Sequence, residues 1–324
     1  MLLAIGSKQG GPQKVLQSMA CRITCLSDDS SDDSVGRGLA RFAPACDEPH
    51  PKKARVVAPR VLALSDDDQD ELVPLVKPMP MSAGRKRPFV EVFAGSQHLS
   101  DAFRGNGHRV FPMDVKISID HDMHGASGQV LLLRQLGLLE RETGLKPYVH
   151  FAPPCSTYSQ ARYPRIRSVT HPHGLPPGVL TNHDKAVLKH ANRITRNTFE
   201  VMIKLYIEGY MVSLEQPSTS LMFRTKEFKS WASKSGAAPI NVDYCMFGMP
   251  YRKRTTLWAS PAGFLDELSR TCPGNHQHAV TLSGWSFNKE SRLATSRGCS
   301  AYPSELCSEW ARVFGDAGNC RVQR

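Results

Sequence analysis

From residue 89 onward, short and mostly apolar runs alternate with longer stretches whose apolar residues recur every three or four positions. Phe89-Val90-Glu91-Val92-Phe93 is a partly β-branched run that ends at Ala94-Gly95-Ser96. Leu99 and Phe103 follow at helical spacing, and Gly105-Asn106-Gly107 stops the helix. Arg109–Met113 reads as a second strand ending at Asp114. Gln129 through Leu139 predicts a helix, Tyr148–Ala152 a buried strand, Phe199–Ile207 a further helix and Tyr210–Leu214 another strand. Strands alternating with helices predict an α/β fold with a mostly parallel sheet and helices on both faces. In such sheets the chemistry sits beyond the carboxyl ends of the strands.

Residues 1–86 break this pattern. They are rich in Ser, Asp, Pro and Gly, nearly devoid of aromatics, and without sustained periodicity. Such a segment cannot bury enough apolar surface to offset its ordering entropy, so a disordered tail is expected there, ahead of a folded domain over 87–320. Within the tail, Pro51-Lys52-Lys53-Ala54-Arg55-Val56 resembles a nuclear import signal, and Gly84-Arg85-Lys86-Arg87 adds a second basic cluster. The near-repeats Ile23–Asp33 and Val61–Glu71 each place four mostly apolar residues before Ser and a run of acids. They look like SUMO-interacting segments, in which a short strand adds to a sheet edge, and their serines look like sites for acidophilic kinases.

Charge sharpens the division. The chain of 324 residues has 41 Lys and Arg against 30 Asp and Glu. Residues 1–85 are balanced, with 11 of each, so the surplus of 30 basic over 19 acidic residues lies in the folded part. A basic surface favours a polyanion, because neutralising phosphates releases condensed counterions. No uninterrupted apolar run approaches the ~18 residues of a membrane span. Nine Cys are too sparse, and odd in number, for a secreted disulfide scaffold. Membrane and secreted-scaffold classes fall away, leaving an intracellular protein with reduced thiols, whose basic surface fits either a nucleic-acid partner or solubility alone.

Three polar segments fall where strand ends are predicted. Strand, glycine turn, helix, strand and then Asp114 is the arrangement that binds a ribose-bearing cofactor: the glycine lets backbone approach the ligand, and the carboxylate accepts from ribose hydroxyls. After Ala152 comes Pro153-Pro154-Cys155-Ser156, and after Leu214 comes Glu215-Gln216-Pro217. Gly248-Met249-Pro250 leads into Tyr251-Arg252-Lys253-Arg254-Thr255. In this order the pieces strongly resemble the cytosine-5 DNA methyltransferase family over roughly residues 88–315. That family is marked by a phenylalanine-glycine turn, a Pro-Cys nucleophile loop, a Glu-Asn-Val type segment and a Gly-x-Pro-x-x-Arg-x-Arg type segment.

The resemblance implies a Rossmann-like methyltransferase fold, S-adenosylmethionine as cofactor and DNA as substrate in the nucleus. Cys155 would be the nucleophile, Glu215 the acid at the base and Arg254 the side chain on its carbonyl oxygen. Phe93, Ala94, Gly95, Ser96 and Asp114 would contact the cofactor, with Asp120 or Asp122 near its adenine and Thr198 and Phe199 packed beside it. Ala301–Leu306 would start a closing helix.

The residue types suit this chemistry independently. Cytosine carbon 5 is a poor nucleophile, so a soft thiolate must first add to carbon 6. A carboxylic acid at ring nitrogen 3 then neutralises the charge that builds on the ring.

The sequence also departs from the family pattern. Gln97 and His98 stand where glycines are usual, Gln216 and Pro217 replace Asn and Val, and Lys253 and Thr255 occupy the expected arginine positions. The interval from Arg254 to Ala301 is too short for a reading domain of ordinary size, which predicts low sequence specificity or help from a partner. Arg162–His190 reads as a long basic loop that closes over the extruded base. Its Arg162, Arg165 and Arg167 would grip phosphate, with Arg252 and Lys253 adding to the DNA surface. Cys21, Cys25, Cys46, Cys245, Cys299, Cys307 and Cys320 read as buried and inert. Cys272, His276 and His278 offer only three local ligands, so no metal is assigned. An RNA cytosine methyltransferase and a non-catalytic module that keeps the fold remain the two alternatives.

Overall fold

A computed structural model describes residues 86–280 and 301–317. The import-like cluster at 51–56, the two Ser/acid near-repeats, and Cys21, Cys25, Cys46, Cys299 and Cys320 lie outside the described residues.

Six strands form one sheet in the order β2-β1-β3-β4-β6-β5. They are β1 (Phe89–Val92), β2 (Val110–Met113), β3 (Tyr148–Phe151), β4 (Met211–Pro217), β5 (Ala238–Asp243) and β6 (Arg254–Ser260). The first four pair in parallel, and β6 runs antiparallel to both β4 and β5. The fold is thus Rossmann-like, mostly parallel, with helices on both faces. The expected class is borne out, while β5 and β6 were not among the predicted strands.

Both faces of the sheet are covered, which is why its strands read as near-continuous apolar runs. Phe89, Tyr148 and Met211 turn to one face, where Leu99 and Phe103 of α1 (His98–Gly105) meet Leu306, Trp310 and Phe314 of the C-terminal helix α5 (Ser304–Ala317). Their neighbours Val90, Val149 and Val212 turn to the other. There they pack under α2 (Ala126–Thr143), α3 (Asn182–Ile207) and α4 (Lys226–Ser235). Each fully buried large apolar side chain contributes about 1.5–3 kcal/mol. The Phe89 and Phe103 rings stack at 3.8 Å, fixing α1 against the strand that precedes it.

Two boundaries differ from the sequence reading. The helix expected over Phe199–Ile207 begins at Asn182, so the second part of the supposed loop Arg162–His190 is helical. The cause is local: the Thr181 side chain accepts from the Asp184 N–H and the Asp184 carboxylate accepts from Thr181, a reciprocal cap worth about 1 kcal/mol. Likewise β4 continues to Pro217, which places Glu215 inside the strand rather than after it.

At the start of α2, Gly128 lies so close to the preceding loop that a Cβ there would meet the Asp122 carbonyl oxygen at 2.3 Å and its carbon at 2.6 Å. That loop is fixed from the other side by Asn197 of α3, whose amide donates to the carbonyls of Met123 and His124, each at 2.9 Å. Gly128→Ala is therefore expected to destabilise the fold by about 1–3 kcal/mol. Gly137→Ala, in the same helix without such an overlap, is expected to be neutral or stabilising by up to about 1 kcal/mol. Chemical denaturation of both variants checks this, and equal stabilities would contradict it.

Candidate active site

The sheet order reverses between β1 and β3: from β1 the chain steps outward to β2, and from β3 it proceeds the other way. Crevices outside such switch points are where open α/β sheets hold ligands. Two loops emerge there side by side. The turn Phe93–Gln97 follows β1 and the Pro153–Ser159 loop follows β3, joined at their bases by a 3.1 Å bond from the Ala152 N–H to the Val92 carbonyl.

The first turn is strained. Phe93, Gly95 and Gln97 all have positive φ, at 67°, 53° and 62°. Only the glycine adopts this freely; each of the other two costs on the order of 1–3 kcal/mol, and such strain concentrates at functional sites. The turn is tied to β2 by Asp114, whose Oδ2 accepts from the Gly95 N–H at 2.9 Å while Oδ1 accepts from the Lys116 N–H at 2.9 Å. Each oxygen keeps a further lone pair for a hydroxyl. Ala94 is buried and Ser96 exposed. The Asp122 carboxylate accepts from the His124 N–H at 2.8 Å, at the head of α2.

Glu91, unassigned in the sequence reading, anchors the same region. Its carboxylate is buried and accepts from the Ser100 N–H at 2.9 Å and the Ser100 hydroxyl at 2.5 Å, in the first turn of α1. Burial pushes its pKa up to about 7. In register with it on β3 and β4 stand His150 and Ser213. His150 Nδ1 and the Tyr148 hydroxyl both meet the Ser213 hydroxyl, at 2.7 and 2.6 Å. His150 Nε2 meets the Tyr302 hydroxyl at 3.0 Å, and Trp310 donates to Tyr148 at 3.2 Å. Burial pulls the His150 pKa down to about 3, so this ring is neutral. A satisfied polar row of this kind fixes one arrangement of the strands beneath the site and of α5 above them.

On β4, two residues beyond Ser213 and on the same face, Glu215 is 7% exposed. Burial raises its pKa, opposed by the Lys253 ammonium, whose Nζ lies 4.0 Å from Oε1. Lys253 also donates to the Tyr244 hydroxyl at 3.2 Å and sits 4.6 Å from the centre of that ring. Cys155 is half-buried within electrostatic reach of both groups. Burial pushes its thiol up, the Glu215 carboxylate pushes it further, and Lys253 pulls it down. Gln216 fixes the loop from below: its amide donates to the Pro153 carbonyl at 2.6 Å, and its own oxygen accepts from Ser220 at 2.9 Å. The apparent departure at position 216 thus has a role, to hold the turn that carries Cys155.

Other predicted residues lie elsewhere. Arg254 binds Asp243 through two bonds of 3.1 and 2.8 Å, and Arg252 lies 3.4 Å from the same carboxylate. The cation facing Glu215 is Lys253, whereas Arg254 and Arg252 face Asp243. Arg167 is only 2% exposed. It stacks 3.8 Å over Tyr158 and donates to Pro172, Asn192 and Thr157 at 2.6, 2.8 and 3.2 Å, so it serves as an internal clamp and not as a phosphate contact. Arg162 lies 3.8 Å from Asp184, and Arg165 is exposed. Both line a cavity of about 280 Å³ beside Ser159 and Gln160. Thr198 and Phe199 are buried, Phe199 against Phe228 and Trp231. Cys307 is buried in the core, whereas Cys245 is not an isolated apolar thiol.

Fold and site together define a Rossmann-like α/β protein with a thiol, a buried carboxyl group and an ammonium gathered at the carboxyl edge of its sheet. No protein-family model matches the chain, and no curated protein matches it. Among solved structures 39 chains match. One of them, the Entamoeba histolytica methyltransferase EhMeth, is 16% identical with a TM-score of 0.32, over 56% of this chain and 55% of its own. The chain thus spans about half the length of that protein.

The electrostatics of Cys155 can be tested directly. Glu215→Gln removes the like charge and leaves Lys253 unopposed, so both changes favour the thiolate. The alkylation rate of Cys155, followed by peptide mass spectrometry against pH, is expected to shift its midpoint downward in this variant. An unchanged or higher midpoint would contradict the arrangement.

Proposed function

We propose that this protein is a cytosine-5 methyltransferase that acts on DNA with S-adenosylmethionine as the methyl donor. The observation that carries the proposal is the convergence of Cys155, Glu215 and Lys253 from three separate segments, beside a strained glycine turn. A structural thiol or salt bridge requires no such turn.

The residues present suit the cofactor. The Phe93–Ser96 turn leaves open space over Gly95, where a Cβ would come no nearer to any atom than 3.9 Å. Asp114 offers its remaining lone pairs to ribose hydroxyls, and the Asp122 loop lies next along the sheet edge. When bound, S-adenosylmethionine would supply the electrophilic methyl group that accepts the carbon-5 electron pair, leaving as the neutral thioether.

The chain's own groups do the rest. The Cys155 sulfur, as thiolate, forms a bond to carbon 6 of an unstacked cytosine and pushes an electron pair toward carbon 5. Glu215 reacts in its protonated form, toward which burial shifts the carboxylate, and gives its proton to ring nitrogen 3. Lys253 neutralises charge on the neighbouring carbonyl oxygen, the role first given to Arg254. Loss of the carbon-5 proton to solvent then expels the sulfur as thiolate, and nitrogen 3 returns its proton to Glu215, which restores the ring. Arg162 and Arg165 are the phosphate contacts of the Arg162–Leu180 segment, and the Pro51–Val56 cluster supports a nuclear setting.

Transfer of a radiolabelled methyl group to duplex DNA and to transfer RNA tests the proposal. Label is expected on DNA, none with Cys155→Ala, and about 10²–10⁴-fold less with Glu215→Gln. Lys253→Met should lose most activity while Arg254→Ala keeps most of it. Label on DNA from Cys155→Ala at the wild-type rate would overturn the mechanism, and label on transfer RNA alone would overturn the substrate.

A further inference from the structure

Away from Cys155, four soft donors meet at one point. Cys245 lies in the turn that follows β5, and Cys272, His276 and His278 lie in the segment after β6. One ligand atom from each lies within 4.8 Å of all the others. The Cys272 sulfur stands 3.7 Å from His276 Nε2 and 3.6 Å from His278 Nε2. Tetrahedral zinc, with bonds of about 2.3 Å to sulfur and about 2.0–2.1 Å to nitrogen, sets sulfur and nitrogen about 3.6 Å apart. Both Cys272 spacings are those of a zinc coordination shell.

We infer that Cys245, Cys272, His276 and His278 form a structural zinc site. The sequence alone presented three ligands within seven residues and no fourth. Chain topology supplies it, because Val242 bridges to Arg270 and brings the two segments together. Two thiolates and two neutral imidazoles balance the charge of a divalent ion, and loading the site releases two protons from the cysteines. Four protein ligands leave no open position, which marks a structural role rather than a catalytic one. The Gly274 N–H donates to the Cys272 sulfur at 3.4 Å, and the Cys272 N–H donates to Asp243 at 2.7 Å. These are the outer contacts that hold a ligand in place.

An energetic argument points the same way. Across Thr271–Ala279 only Cys272 is buried, so this segment has almost no apolar contact to offset the entropy of ordering it. A metal supplies that free energy without a core. The site also sits at the root of the connection that bears Lys253. Asp243 accepts from both Cys272 and Arg254, the residue next to Lys253, so the metal would hold the start of β6 beside the cation that faces Glu215.

The test uses the full chain purified without chelator and measured by plasma mass spectrometry. About one equivalent of zinc is expected, lost in Cys245→Ser and in Cys272→Ser but retained in His276→Cys, which keeps four ligands. Cobalt replacing zinc should give the absorption of a tetrahedral thiolate complex. Chelation of the wild type should abolish hydrogen-exchange protection over 265–280, and zinc should restore it. That measurement decides the matter if the serine variants fail to fold. No bound metal, unchanged protection on chelation, or a Cys245–Cys272 disulfide in the native protein would each overturn the inference.

Discussion

An antiparallel strand inserted between two parallel ones is the constraint on which the site depends. β4 and β5 both run toward the carboxyl edge of the sheet, so β6 between them must start at that edge. Whatever precedes β6 is thereby delivered to the end of β4. The residue delivered is Lys253, whose carbonyl accepts from the Tyr244 N–H at 3.1 Å and whose ammonium reaches Glu215. Two opposite charges in a buried setting are tolerated only when each has partners. Here the pair also sets the ionisation of a nearby thiol, so the backbone register of three strands becomes an electrostatic property of Cys155.

A second layer fixes the remaining geometry. Glu91, His150 and Ser213 stand side by side on β1, β3 and β4, and the helix bearing Tyr302 and Trp310 closes over them. Glu91 reaches α1 through Ser100, so the strained Phe93–Gln97 turn is clamped at both ends, by α1 on one side and by Asp114 on the other. Two non-glycine residues at positive φ persist because this surrounding structure leaves the turn no alternative.

The parallel half of the sheet was legible because its strands are short and bounded by Gly, Pro and Asp, and β1, β3 and β4 are buried on both faces. The position of Cys155 directly after Phe151 was legible for the same reason. β5 and β6 were not: Ala238–Asp243 and Arg254–Ser260 mix polar residues with small ones, and their pairing rests on contacts distant in sequence. With them went the choice between Lys253 and Arg254, since only the strand register shows that Arg254 faces Asp243. Arg167 looked like a basic loop residue because charge alone does not reveal that an aromatic face and three acceptors enclose it. Residue 245 was read as inert because its neighbours in space come from residues 272–278.

The central claim is that Cys155 attacks carbon 6 of a cytosine in DNA while Glu215 and Lys253 stabilise the adduct. Fluorine at carbon 5 cannot leave as a cation, so a fluorinated cytosine should arrest the reaction after methyl transfer with the sulfur still attached. Intact-mass analysis of the full chain, incubated with S-adenosylmethionine and duplex DNA carrying that base, tests this most directly. The account predicts a denaturation-resistant species of protein plus oligonucleotide plus one methyl group, mapping to Cys155 and missing when the cofactor is omitted. No such species under conditions where the protein binds the DNA, or attachment at any other residue, would contradict it.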